Sequence, residues 1–374
     1  MKRSASLLVL LLLLSLLLPF LLTPLVRAAE DSWLSKASMN ETRAYLGAEV
    51  VNGKIYAIGG DQGSLIGNAM NSVGMTQQTT NATEEYNPSL DKWTIKSPMP
   101  TARARFGTAV YQNKIYCIGG YTATFDGGTN YFDLEANEVY NPINDTWESK
   151  TPLPTPRHSP TTNMVNGKIY VIGGYSITTH SILNVAEVYD PTSNTWETIS
   201  PPPLEVGSSA SAVIDNKIYA LGQNSSAWET FIQVYDPLTD KWNIKGYTPV
   251  SAFASAVVTS GLSAPERIYF FDENRTDVYN PTDDSWVEGT PAPTNRPVAA
   301  VAVIDDLIYL VGGRTGQWGY MTFMYPSALC EQYLPIGYIP EFPSWTPLLS
   351  TLVAVLVVAA IYRRRLANNH GMIE

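Results

Sequence analysis

Lys168-Ile169-Tyr170-Val171-Ile172-Gly173-Gly174, followed by Ala186-Glu187-Val188-Tyr189-Asp190-Pro191 and then Trp196, is a pattern the chain repeats. Its first half recurs as IYAIGG ending at Gly60, IYCIGG ending at Gly120 and IYLVGG ending at Gly313. Worn copies are IYALGQ ending at Gln223 and IYFFDE ending at Glu273. The second half, a Tyr with a Trp seven residues later, occurs at Tyr86 and Trp93, Tyr140 and Trp147, Tyr189 and Trp196, Tyr235 and Trp242, and Tyr279 and Trp286. An Asn-Pro or Asp-Pro turn stands between the two aromatics each time, where proline presets φ. Successive Trp residues are 54, 49, 46 and 44 positions apart. A period of this length marks a propeller, with one four-stranded unit per repeat.

Each unit reads as four strands, a to d. Strand a alternates and is rich in small residues, as in Phe106-Gly107-Thr108-Ala109-Val110. A tight turn such as Asn52-Gly53 leads into strand b, a continuous apolar run that suits burial on both faces. Strand c carries the Glu-Val-Tyr run and strand d begins at the Trp. The double glycine after strand b, with the Tyr and Trp on strands c and d, is similar to the kelch repeat, and the resemblance covers residues 31–326. It implies an all-β, six-bladed propeller. The same resemblance spans enzymes, adhesion modules and adaptors, so it carries fold and not function. The aromatics are expected to fill the gaps between blades.

The two ends of the array explain each other. Met321-Thr322-Phe323-Met324-Tyr325-Pro326 reads as strand c of a sixth blade with no Trp after it. Asp31-Ser32-Trp33-Leu34-Ser35-Lys36 mirrors Asp91-Lys92-Trp93-Thr94-Ile95-Lys96. The N-terminal segment is therefore expected to supply strand d of the last blade. That closes the ring without an open edge.

Outside the repeats, Lys2 and Arg3 precede a Leu-rich run, and Val26-Arg27-Ala28 offers a small-residue cleavage site, so residues 1–28 read as a secretory signal peptide. The propeller is expected over 29–330 and a Pro-rich linker over 331–345. An apolar helix over 346–362 is just long enough to cross a membrane, and the tail over 363–374 opens on Arg363-Arg364-Arg365. Pro340-Glu341-Phe342 before the helix resembles the C-terminal sorting signal of archaeal surface proteins. That implies either a retained single-pass anchor with a cytoplasmic C-terminus or replacement of the helix by a lipid. Without the six basic residues and one acidic residue of these ends, the exported part has 18 basic and 33 acidic residues, net −15. Such a charge argues against nucleic acid as a partner. Sequons begin at Asn40, Asn81, Asn144, Asn224 and Asn274. Cys117 reads as a small buried hydrophobe and Cys330 as lying beyond the last blade.

The resemblance places ligand contacts on the face where the b–c loops and d–a connections open. The loops of blades 1 to 3 are long, and that of blade 2 carries Phe125, Asp126 and Tyr131. Ten residues after successive Trp positions stand Arg43, Arg103, Arg157, Val206, Ala252 and Arg296. Arginine thus marks blades 6, 1, 2 and 3. Two readings stay open: a basic arc that forks onto a carboxylate or sulfate, or a brace that bonds carbonyls of neighbouring blades. His158 and His180 lack the further ligand a metal site needs, so neither metal nor cofactor is expected. The function expected is a surface-tethered binding module for a glycan or another surface protein. The alternative is a carbohydrate-active enzyme such as a sugar-acid mutarotase or epimerase, for which Glu205 is a candidate acid–base group.

Overall fold

The computed structural model describes residues 29–339 apart from 64, 69–77, 126–128, 208–209, 225–228, 252–253, 273–274 and 318–320. Residues 1–28, Asp126, the Pro340-Glu341-Phe342 motif, the helix expected over 346–362 and the tail over 363–374 lie outside this range. Among the described residues no helix is long and apolar enough to cross a membrane.

The described chain forms six four-stranded antiparallel sheets arranged as blades. Blade 1 is Gly47–Val51, Lys54–Ile58, Thr83–Asn87 and Lys92–Lys96, running from strand a to strand d. Blades 2 to 5 repeat this plan up to Ser285–Gly289. Blade 6 is Ala300–Ile304, Leu307–Val311, Cys330–Leu334 and, from the far end of the chain, Ser32–Lys36. The expected closure is present, but strand c of blade 6 is Cys330–Leu334, not Met321–Pro326. Trp33 lies opposite Tyr333 in the register that puts Trp93 opposite Tyr86. The sequence misleads here because strand d comes from elsewhere. Tyr333 therefore needs no Asn-Pro turn after it, whereas Tyr325-Pro326 imitates one. The propeller accordingly runs through Leu334, past the expected boundary at 330, and Cys330 is buried inside the last blade.

Tyr and Trp hold the blades through a motif repeated around the ring. The hydroxyls of Tyr86, Tyr140, Tyr189, Tyr235 and Tyr333 donate to Asp91, Asp145, Asn194, Asp240 and Asp31 at 2.5 to 2.7 Å, and Tyr279 does the same to Asp284. These acceptors sit at positive φ, the left-handed region that Asp and Asn tolerate best. Five Trp indole N–H groups reach back to a carbonyl of the preceding blade: Trp33 to Thr290, Trp93 to Ala37, Trp147 to Ser97, Trp196 to Thr151 and Trp242 to Ser200. The aromatics are thus inter-blade core with satisfied polar ends.

The double glycines do a second job at the same seams. The N–H of Gly60 donates to the Arg103 carbonyl of the next blade (2.9 Å), Gly120 to Arg157 (2.9 Å), Gly174 to Val206 (2.7 Å) and Gly313 to Arg43 (2.9 Å). The first glycine of each pair also has positive φ and lies against the same carbonyl. A Cβ on Gly119 would come 2.7 Å from the Arg157 oxygen. Only glycine satisfies both conditions.

Candidate functional site

The four arginines are side chains of the scaffold, and the anion-binding arc is corrected accordingly. Arg43, Arg103 and Arg157 are fully buried and Arg296 is 4% exposed. Each pairs with the glutamate two residues before the strand-c Tyr of its own blade: Arg43–Glu84 at 2.8 Å, Arg103–Glu138 at 3.0 Å, Arg157–Glu187 at 2.6 Å and Arg296–Glu331 at 2.6 Å. Each also donates to a strand-b carbonyl fourteen residues on, those of Ala57, Cys117, Val171 and Leu310. Burial lowers the pKa of Arg43, Arg103 and Arg157 from the ordinary arginine value, and the paired glutamates oppose that pull. No guanidinium of this set faces an opening.

The residue two positions further on does. Tyr45, Arg105, Ser159 and Val298 share positive φ, from 53 to 56°. Their backbones link blade to blade: Tyr45 N–H to Val298 O (3.2 Å), Arg105 N–H to Tyr45 O (3.0 Å) and Ser159 N–H to Arg105 O (2.6 Å). Together they edge the mouth of a central cavity of about 1200 Å³, which the strands a of all six blades line. Small residues such as Gly107, Thr108, Thr162, Ser211, Ala256 and Ala300 leave it that wide.

Arg105 is half-buried at this rim, its guanidinium stacked on the Tyr45 ring at 3.8 Å. Among the described residues it makes no ion pair, and its Nε has no hydrogen-bond partner. Arg314 lies 5.4 Å from the same ring, but it is buried and paired with Asp61 at 2.8 Å. The sequence does carry a signal for Arg105. Of the positions two after the scaffold arginine, this is the one with a cation, and it is visible only once Arg103 is recognised as core.

Walls rise over part of this face. In blade 2, Tyr121–Phe125 and Thr129–Asp133 form a hairpin, and in blade 3 Tyr175–Ser176 and Ser181–Ile182 form another. The b–c loops of blades 1 and 6 zip into a three-stranded sheet, Arg314–Gln317, Met321–Pro326 and Leu65–Asn68. The wall thus stands over blades 6, 1, 2 and 3. Of the expected contacts, Phe125 ends the first strand of the blade 2 hairpin. Tyr131 is half-buried, with its ring 5.6 Å from Tyr121.

His180 is exposed at positive φ in the blade 3 hairpin. His158 meets Asp133 of the blade 2 hairpin, Nδ1 to Oδ1 at 2.7 Å. Asp133 Oδ2 accepts the Ile177 N–H at 2.6 Å; as a carboxylate Asp133 can only accept at Oδ1 as well, which assigns the shared proton to Nδ1. The imidazole lies between Tyr121 (5.5 Å) and Tyr175 (5.3 Å). Glu205 is exposed in a backbone bridge with Gln223. Among the described residues there is no cluster of three or more His, Cys, Asp or Glu side chains able to hold a metal ion.

Comparison with known proteins agrees with this architecture. The KLHDC2/KLHL20/DRC7 kelch-repeats domain matches residues 47–271. Kelch repeat and BTB domain-containing protein 12 of Homo sapiens is 33% identical over 153 residues, 39% of this chain and 24% of that protein. Beta-scruin of Limulus polyphemus is 32% identical over 150 residues, 39% of this chain and 15% of that protein. A putative F-box/kelch-repeat protein of Arabidopsis thaliana is 34% identical over 212 residues, 54% and 58% of the two chains. The chain thus spans less than two thirds of each of these relatives. The solved structure of YjhT superposes with a TM-score of 0.60 at 14% identity, covering 78% of this chain and 95% of that one, a likeness of fold alone.

Proposed function

Because the chain belongs to the kelch-repeat family, we propose that it is a surface-tethered binding module that takes an acidic group of a glycan or of a neighbouring surface protein at the mouth of its channel. The observation that carries this is Arg105, a half-buried cation stacked on Tyr45 with no ion-pair partner among the described residues, at the rim of a cavity of about 1200 Å³. A guanidinium held by stacking is pre-oriented, so little freedom is lost when it forks onto a carboxylate. The scaffold's net negative charge repels anions at long range, so binding depends on this local cation and weakens with salt.

Export and tethering rest on the basic, Leu-rich start, the Pro340-Glu341-Phe342 motif and the apolar run that ends in three arginines. The deciding experiment is an array of acidic glycans and acidic peptides probed with the wild-type protein and with Arg105→Ala at low and high salt. Salt-sensitive binding that the variant loses supports the reading. Binding that ignores both the substitution and salt overturns it. Surface labelling of intact cells tests the tether, and a propeller reached only after lysis contradicts it.

A catalytic reading draws on one observation, the Asp133–His158 pair. Asp133 fixes the tautomer that leaves His158 Nε2 as a proton acceptor. If this pair works on a sugar acid, the protein accelerates exchange between its anomeric proton signals and His158→Gln abolishes the acceleration.

A further inference from the structure

Glu49, in strand a of blade 1, lines the same cavity as Arg105. It is walled in by protein yet part-open to the channel. Its polar neighbour is the Thr108 hydroxyl, on strand a of blade 2 and three residues beyond Arg105. Arg105 stands on the connection that leads into that strand, so the cation at the mouth and the carboxyl on the wall border one channel. The surrounding groups supply no counter-charge. Behind Thr108 stands Cys117, its thiol pushed up to about 12 by burial, and beyond it the Arg103–Glu138 pair, already satisfied. On the blade's own strand b the backbone partner is Tyr56, whose hydroxyl donates to Glu85. Blade 6 presents Ala300 and Ala302 from its strand a. The other charged groups that line the cavity are Arg105 and Arg314, at the mouth, and Asp272, at the end of strand b of blade 5. Among the described residues Glu49 makes no ion pair, and its carboxyl borders the channel with the Thr108 hydroxyl as its polar partner.

We infer that Glu49 is the second recognition group of this channel, donating a hydrogen bond to a neutral acceptor of a compact hydroxy-acid whose carboxylate is held by Arg105. This deepens the proposed function and rests on it. Burial pushes the Glu49 carboxyl up to about 7, with Thr108 pulling the other way, so the donor form is available in weakly acidic water. Above that range the charged form repels the bound acid. Its protonated fraction falls from about 0.9 at pH ~6 to about 0.1 at pH ~8, so the dissociation constant rises roughly tenfold between them.

The test is a calorimetric titration of the full-length chain in detergent with glucuronate at the two pH values. The wild type is expected to lose about tenfold in affinity at the higher pH. Glu49→Gln, isosteric and permanently neutral, keeps the low-pH affinity at both. Thr108→Val, which removes the one group holding the pKa down, moves the midpoint upward. Affinity that is flat with pH in the wild type, the same pH dependence in Glu49→Gln, or no glucuronate binding at either pH overturns the assignment. Binding that survives Arg105→Ala unchanged sinks the mouth reading instead, so the two failures are separable.

Discussion

Blades 6, 1, 2 and 3 differ from blades 4 and 5 at three linked places. The first group has the double glycine, the buried Arg–Glu pair and the built-up loops. In blade 4, Val206 stands where the arginine would be and Gln233 where the glutamate would be. Gln233 is fully buried and exchanges two hydrogen bonds with the Leu204 backbone, at 3.2 and 3.1 Å. In blade 5, Asp277 takes the carboxylate position, and its cation comes from its own strand, Arg275 at 2.6 Å. Arginine and glutamate are thus lost together, as they must be if each is there to neutralise the other. With Gln223 in place of the second glycine, strands b and c of blade 4 run on as one long hairpin, Lys217–Asn224 against Glu229–Asp236. The glycine pair lets the chain leave the sheet, which allows a loop to grow above it. The same device that locks the seams therefore supplies the wall of the candidate site.

The largest effect expected from this contrast is that of Arg103→Ala. It leaves Glu138 buried without its cation, and breaking such a pair costs about 3–5 kcal/mol. Converting the site to the blade 4 solution, Arg103→Val with Glu138→Gln, is expected to cost about 1 kcal/mol or less. Urea unfolding of the two singles and the double measures the coupling. Additive costs would mean that the pair is not a unit.

At the seam between the two groups, Trp33 bonds Thr290 of blade 5 and packs on Tyr333 at 4.9 Å and Phe271 at 5.7 Å. Trp33→Ala is expected to lower stability by about 3 kcal/mol, since large aromatic deletions in cores cost 3–5 and this ring is half-buried. An unchanged thermal midpoint would deny that the N-terminal strand closes the ring.

Gly119→Ala places a Cβ at φ +67° and 2.7 Å from the Arg157 carbonyl, so a loss of about 2 kcal/mol is expected. Gly246→Ala, in strand d of blade 4, meets nothing within 4 Å and is expected to change stability by less than about 0.5 kcal/mol. Equal losses in calorimetric scans would remove the steric argument for the glycine pair.

Much of this was legible in the residues because each repeat reports on the others. The period gave the blades, and the orphan Trp33 gave the closure. The identity of the last strand c was not legible, because Glu331-Gln332-Tyr333 lacks the turn that marks its counterparts and Tyr325-Pro326 imitates it. The arginines were legible as a pattern but not as a role. A period shows that a cation recurs, not whether it faces water. Their glutamate partners lie 30 to 41 residues away, on a strand whose Glu-Val-Tyr run reads equally well as ordinary alternation. Arg105 was hidden for the opposite reason: it breaks the repeat, and a single cation in a loop carries no signal until its neighbour is known to be core. The Asp133–His158 contact joins two blades and has no local signature.

The account stands on the division between Arg103 as scaffold and Arg105 as site, two residues apart on one connection. The most direct measurement is the dissociation constant of the strongest acidic probe for Arg105→Ala beside that for the Arg103→Val, Glu138→Gln double variant. Arg105→Ala is predicted to lose at least about tenfold, some 1.4 kcal/mol, with its unfolding midpoint unchanged, while the double variant binds as the wild type does. Loss of binding in the double variant with Arg105→Ala unaffected would contradict it.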